Sequence, residues 1–130
     1  PVIIHSREAA ADTMYIMKNY AQGLGGVIHC YSYSREMAEE YVKMGFYIGI
    51  GGVVTFKNAK KLKDVAAAIP IEKIVLETDC PYMAPEPYRG KRNQSSYIRY
   101  VAEKIAELKE MSQEEVIAVT EKNARDLYGI

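Results

Sequence analysis

The chain has 130 residues and no formal net charge, because 17 basic residues balance 17 acidic ones. This balance excludes a global field that would draw the protein to nucleic acid or to a membrane, so any basic site must be local. No apolar run approaches the roughly 20 residues of a membrane span and no leader opens the chain, so we predict a cytoplasmic protein without a membrane partner.

The first part of the chain alternates apolar runs with helical patterns. The run at residues 2–4 ends at His5, and the run at residues 27–28 ends at His29, so both histidines of the chain follow a strand-like segment. Apolar residues at helical spacing separate the two runs, and glycines end that helix. Ser34 then stands where it can cap a second helix.

Two more strand and helix pairs follow. Residues 46–52 predict a third strand, and Asn58 stands where it can cap the third helix. The consecutive branched residues 74–76 predict a strand buried on both faces, as in parallel sheets. Four such pairs in succession predict βαβ units and right-handed crossovers.

The chain closes with a loop and helices. The loop at residues 83–93 carries three basic residues close together, namely Arg89, Lys91 and Arg92. A helix with an apolar stripe follows, and Ser112 with Glu115 at capping-box spacing opens another. Residues 123–128 predict a separate, short helical turn at the end.

Three side chains share one predicted position, the carboxyl end of a strand. They are His5, His29 and Asp79, and in parallel α/β folds ligands bind at this edge of the sheet. Imidazole nitrogen and carboxylate oxygen bind zinc, manganese and iron, so the three predict a divalent-metal site with positions open for water. The alternatives are that Asp79 caps a turn and that each histidine is an ordinary, partly buried residue.

Cysteines and tyrosines give weaker signals. Cys30 and Cys80 both follow strands in a sequence of intracellular character, so free thiols are expected rather than a disulfide. Tyr82 and Tyr88 have the side chains for stacking on a base, but packing is the default expectation for tyrosines.

Six short motifs follow one another along the chain, at residues 2–7, 27–32, 51–59, 77–82, 87–93 and 123–124. In this order they resemble the carboxyl-terminal half of the TatD family of metal-dependent deoxyribonucleases, which are amidohydrolase-like barrels. The resemblance implies an α/β fold with parallel βα units equivalent to the second half (strands 5–8) of a TIM-type (β/α)8 barrel, with extra carboxyl-terminal helices. Residues 1–130 would form a single domain.

The resemblance also implies a site and an activity. Divalent ions (Mg, Mn or Zn) would be bound by His5, His29 and Asp79, and Asp79 would also be the general base. Glu77 would not bind the metal itself but would hold a ligand side chain in place. The substrate would be DNA, as single strands or 3′ ends, with its phosphates bound by basic side chains: Arg7, Arg89, Lys91 and Arg92. For the three basic loop residues, a solvated loop is the alternative.

Two other functions stay open. A small-molecule amidohydrolase or phosphoesterase can use the same barrel and metal site. An inactive half-barrel is the other, because the His-x-His pair and the bridging glutamate of the family belong to strands before the matched part. The chain also departs from the family locally, since Tyr33 replaces a usual glycine and Gln94-Ser95 a usual Glu-Pro.

A half-barrel has open edges. Four βα units cannot close, so the strands beginning at Val2 and Ile74 are predicted to be long, apolar and unpaired on one side. We therefore expect one of two outcomes: two copies pair these edges around a two-fold axis and form a homodimer, or the chain is the ordered remnant of a longer chain.

Overall fold

Four short strands form one parallel sheet in a computed structural model that describes all 130 residues. The strands are β1 (Val2–His5), β2 (Gly26–His29), β3 (Tyr47–Ile50) and β4 (Ile74–Leu76), in the spatial order β1-β2-β3-β4. The predicted parallel sheet is confirmed, although β3 and β4 are shorter than the apolar runs that predicted them.

Helices connect and flank the strands. They are α1 (Ala10–Tyr20), α2 (Arg35–Lys43), α3 (Lys60–Ala68), α4 (Ile98–Lys109) and α5 (Gln113–Tyr128). Single 3-10 turns lie at Gly52–Thr55, Ile71–Lys73 and Ser95–Tyr97. None of the helices combines the length and the apolar character needed to cross a membrane. The cytoplasmic location stays a prediction.

Alternation along the strands divides their side chains between the two faces of the sheet. Ile28, Ile48 and Ile74 are almost completely buried against the helices, within a core of 21 buried residues. On the opposite face, Val27 and Val75 pack with Leu127 near the end of α5. Both histidines share this second face with Val27, so the candidate site lies on the side of the sheet away from the main core.

Helix ends test the capping predictions. Ser34 caps α2 by accepting a backbone N–H, and Ser112 with Glu115 forms the predicted capping box of α5. Two predictions are wrong. Asn58 does not cap α3, which begins one residue later after Ala59 and has no side-chain cap. Residues 123–128 are the last turns of the continuous helix α5, not a separate turn.

Asn123 joins α5 to the start of β4. Its side chain is buried, and Nδ2 donates to the carbonyl oxygens of Ile71 at 2.8 Å and Ile74 at 2.7 Å. Removing the amide would leave two carbonyl oxygens in the interior without these donors. Asn123 therefore fixes the position of the last helix relative to the sheet.

We expect Asn123→Ala to lower the free energy of unfolding by about 2–4 kcal/mol, the sum of two lost bonds and the cost of unpaired carbonyls. Urea denaturation followed by circular dichroism measures this change. Asn19→Ala is the matched control, because Asn19 also donates to a carbonyl, that of Tyr15 at 2.7 Å, but on the exposed side of α1. A loss for Asn123→Ala no larger than that of the control would contradict the anchoring role.

Candidate metal centre

His5 and His29 end neighbouring strands and are paired in the register of the sheet. Their ring centres are 5.8 Å apart, because parallel strands bring their carboxyl ends to one edge. Asp79 arrives from a turn rather than from the strand itself, since β4 ends at Leu76 and Asp79 has a positive φ of 54°. The turn places Oδ1 of Asp79 3.5 Å from Nε2 of His29.

Glu77 contacts His29 on the ring nitrogen that faces away from Asp79. Its Oε2 is 2.9 Å from Nδ1 of His29, and its Oε1 accepts the backbone N–H of Cys30 at 2.7 Å. A carboxylate at Nδ1 fixes the orientation of the His29 ring, whose Nε2 lies on the side of Asp79. The Glu77 side chain is only 15% exposed, so this contact is well shielded.

Gly49 provides the space for this carboxylate. A Cβ at Gly49 would lie 2.5 Å from Oε2 of Glu77 and 3.1 Å from the carbonyl oxygen of Ile28. A larger residue would displace the carboxylate and so the bond to His29. The glycine in the middle of β3 therefore belongs to the architecture of the site.

The donor set fits a divalent cation. The ring of His5 neighbours that of His29, and Asp79 approaches His29, so the donors at this edge are imidazole nitrogens and a carboxylate oxygen. Mixed nitrogen and oxygen donors suit zinc and manganese, whereas magnesium prefers oxygen. These residues thus support the metal prediction without selecting one metal.

A second group of donors lies next to the first. Single donor atoms of His29, Cys30 and Glu77 all lie within 4.8 Å of one another. However, both oxygens of Glu77 already accept hydrogen bonds, and burial together with this carboxylate raises the pKa of the Cys30 thiol well above its usual range. Both carboxylate oxygens of this second group are therefore already engaged in hydrogen bonds. Cys30 and Cys80 are free, as predicted.

The predicted phosphate-binding side chains are all exposed and form no ion pairs: Arg7, Arg89, Lys91 and Arg92. Arg89 is held in place, because its guanidinium carbon lies 3.9 Å from the ring centre of Phe56. Their positive charges are therefore not neutralised by neighbouring carboxylates and are available to a ligand.

Asn93 fastens the basic loop to the turn of Asp79. It is buried, and its Nδ2 donates to the carbonyl oxygens of Thr78 and Tyr82, each at 2.7 Å. Its backbone N–H donates to the carbonyl oxygen of Pro81 at 2.9 Å. Sequence reasoning missed this role. The only signal was the position of Asn93 at the end of the 87–93 motif.

Tyrosines near the site differ in their surroundings. Tyr88 stacks on Tyr97 with ring centres 4.3 Å apart, which confirms the packing expectation for Tyr88. Tyr82 is 69% exposed, so packing is wrong for Tyr82. Tyr33, which replaces a usual glycine, contacts Ser6 Oγ at 2.8 Å and accepts the backbone N–H of Ala9 at 3.3 Å. Tyr33 therefore links the loop that follows His5 to the loop that follows His29.

The fold and the site together define a class: part of a parallel βα barrel with a candidate metal centre of two histidines and an aspartate at its carboxyl edge. The profile of the family described as TatD related DNase matches residues 1–129. The chain belongs to the TatD family.

Curated relatives extend over the whole chain. YabD of Bacillus subtilis is 52% identical over 131 residues, which cover 100% of this chain and 51% of YabD. YcfH of Escherichia coli K12 is 45% identical over 131 residues, which cover 100% of this chain and 49% of YcfH. Both carry the name uncharacterized metal-dependent hydrolase. The chain spans about half the length of these relatives.

Solved structures support the fold prediction. The TatD homolog YjjV of Escherichia coli K12 matches with a TM-score of 0.93 and 32% identity, over 100% of this chain and 50% of YjjV. An uncharacterized amidohydrolase of Saccharomyces cerevisiae shares the fold, with a TM-score of 0.79, 16% identity and coverage of 98% of this chain and 53% of that chain. The prediction of an α/β chain equivalent to half of a TatD-type barrel is confirmed.

Proposed function

We propose that this chain is the carboxyl-terminal half of a metal-dependent nuclease that hydrolyses phosphodiester bonds of DNA, in single strands or at 3′ ends. The observation that carries the proposal is the convergence of His5, His29 and Asp79 at one edge of the sheet. The exposed, unpaired basic side chains favour a phosphate-bearing substrate over a neutral one.

Each residue of the site has a defined task in this proposal. His5, His29 and Asp79 would bind a divalent ion, and Glu77 keeps the His29 ring in the orientation that ligation needs. Such an ion supplies a lowered pKa of bound water and stabilisation of charge on the phosphate. Asp79 is 39% exposed on its side chain, so its carboxylate is accessible to a water proton and serves as the general base.

The substrate is held by its backbone. Arg7, Arg89 and Arg92 have guanidinium groups that bind phosphate oxygens through two parallel bonds, and Lys91 adds a point charge. The bond network of Asn93 keeps the loop with Arg92 beside the turn of Asp79. This arrangement would orient a strand of DNA relative to the metal ligands.

A substrate panel tests the proposal. Because the chain spans half of its relatives, the amino-terminal half of YabD is joined ahead of Pro1, and the chimaera receives Mn²⁺, Mg²⁺ or Zn²⁺. We expect cleavage of single-stranded DNA with free 3′ ends and no turnover of carboxylic esters or lactones. Turnover of the esters or lactones without DNA cleavage would instead support the small-molecule alternative.

Salt dependence of DNA binding tests the basic loop. We expect Arg92→Ala to reduce the slope of log affinity against log salt by about 0.7, the counterion release that one phosphate contact causes on a single strand. Fluorescence anisotropy with a labelled single strand measures the slope. Arg35→Ala is the control, because Arg35 is paired with Glu39 at 2.8 Å on α2. An Arg92→Ala slope equal to wild type would return the cluster to a solvated loop.

A further inference from the structure

A cavity of about 290 Å³ lies among the loops at the carboxyl edge of the sheet. It borders Cys30, the residue after His29, and is enclosed by the segments that follow β2 and β3, the start of α3 and the loop after Asp79. This volume is just below the range of about 300–1,000 Å³ that is typical of ligand cavities. It suits a group of nucleoside size rather than a longer chain.

The cavity has apolar walls and a polar mouth. Tyr31, Val53 and Leu62 line it, and the Tyr31 hydroxyl donates to the Ser34 carbonyl oxygen at 2.6 Å, so this residue contributes no free polar atom. Asn58 and Lys61 are exposed at the cavity, and neither side chain bonds within the chain. A ligand that complements this cavity has an apolar ring for the walls, a polar edge for Asn58 and a negative charge for Lys61.

One wall is built by direct backbone contact. A Cβ at Gly52 would lie 2.9 Å from the backbone nitrogen of Pro85 and closer still to the carbonyl oxygen of Met83, so the loop rests on the glycine itself. Met83 is 46% exposed beside the cavity, and Tyr82 before it is also exposed. A thioether sulfur makes favourable contacts with aromatic rings, and Met83 supplies one at this wall. The wall is therefore preformed.

We propose that this cavity binds the nucleobase of the nucleotide adjoining the cleaved phosphate, with Asn58 contacting the base edge and Lys61 a neighbouring phosphate. The inference rests on the proposed nuclease function and names the substrate group that the site distinguishes. An amide offers both a donor and an acceptor, which pair with adenine in particular. The ammonium of Lys61 adds charge complementarity to the apolar walls.

Calorimetric titration of the 130-residue chain without metal, in EDTA, tests the cavity. The probes are dAMP, deoxyribose 5-phosphate and inorganic phosphate. We expect dAMP to bind at least tenfold more tightly than either probe without a base. Val53→Trp, which fills the cavity, should remove this preference. Lys61→Gln should weaken dAMP binding severalfold, while the control Lys60→Gln, an exposed neighbour outside the cavity, leaves it unchanged.

The outcomes separate this inference from the proposed function. Equal binding of dAMP and phosphate, or dAMP binding unaffected by both Val53→Trp and Lys61→Gln, would overturn the cavity assignment even if the chimaera cleaves DNA. Preferential dAMP binding that depends on Val53 and Lys61 supports it. If the chimaera then fails to cleave DNA, the nuclease proposal is overturned while the nucleotide site stands.

Discussion

Replacing Asp79 with asparagine is expected to reduce metal-dependent hydrolysis by at least about a thousandfold and to leave the fold unchanged. The change removes a charged oxygen ligand and the proposed general base together, and loss of general-base catalysis alone costs about 10²–10⁴ in rate. Stability should change by less than about 0.5 kcal/mol, because Asp79 is exposed and asparagine tolerates the left-handed backbone that Asp79 adopts.

The measurement compares DNA cleavage rates of the chimaera and its Asp79→Asn variant, with thermal unfolding as the test of folding. Asp12→Asn is the control, since Asp12 is an exposed carboxylate in the first turn of α1 that forms no ion pair. Metal content gives a second readout, which should fall for Asp79→Asn only. Near-normal cleavage by Asp79→Asn would remove Asp79 from the catalytic role.

The positions of the three candidate ligands could be predicted from the sequence because each follows an apolar run. In a parallel sheet such runs end at one edge, so His5 and His29 had to be neighbours if the sheet formed. The turn at Asp79 was harder to predict from the sequence. The apolar run indicated a strand up to the aspartate, whereas β4 ends at Leu76 and the chain reaches Asp79 through a left-handed conformation.

The hydrogen bonds of the two buried asparagines could not be predicted from the sequence, because their partners are distant in the chain. Asn93 bonds to the turn around Asp79, and Asn123 bonds to carbonyls about 50 residues earlier in the chain. Such bonds exist only once the fold has formed. Asn123 and the buried Thr120 also interrupt the apolar stripe of α5, although the Thr120 hydroxyl bonds back to the Val116 carbonyl. Polar residues in this stretch therefore suggested that the helix ends before residue 123, whereas α5 continues to Tyr128.

Asn58 shows the limit of a local signal. Asparagine is a favoured cap, but here the backbone N–H of Ala59 donates to the carbonyl oxygen of Phe56 at 3.2 Å, and this turn delays the helix by one residue. The side chain of Asn58 is thereby left at the mouth of the nucleobase cavity instead of at the helix end.

The two edge strands of the sheet differ, which corrects the expectation of two long, equivalent edges. β1 has four residues and β4 has three. β1 is paired only with β2, and Ile3 on it is 61% exposed. At the other edge, Ile74 and Val75 are buried, because α5 packs against β4. The unpaired edge that offers both backbone groups and apolar surface is therefore β1.

We propose that the 130-residue chain self-associates through β1, with two copies pairing this edge around a two-fold axis. An unpaired strand with an exposed apolar side chain favours such pairing, and an introduced lysine opposes it. We expect size-exclusion chromatography with light scattering to show a dimer for the wild type and a monomer for Ile3→Lys. Leu24→Lys, an exposed leucine outside the strand, should stay dimeric. A wild-type monomer with slowly exchanging amides in β1 would show that the edge needs no partner.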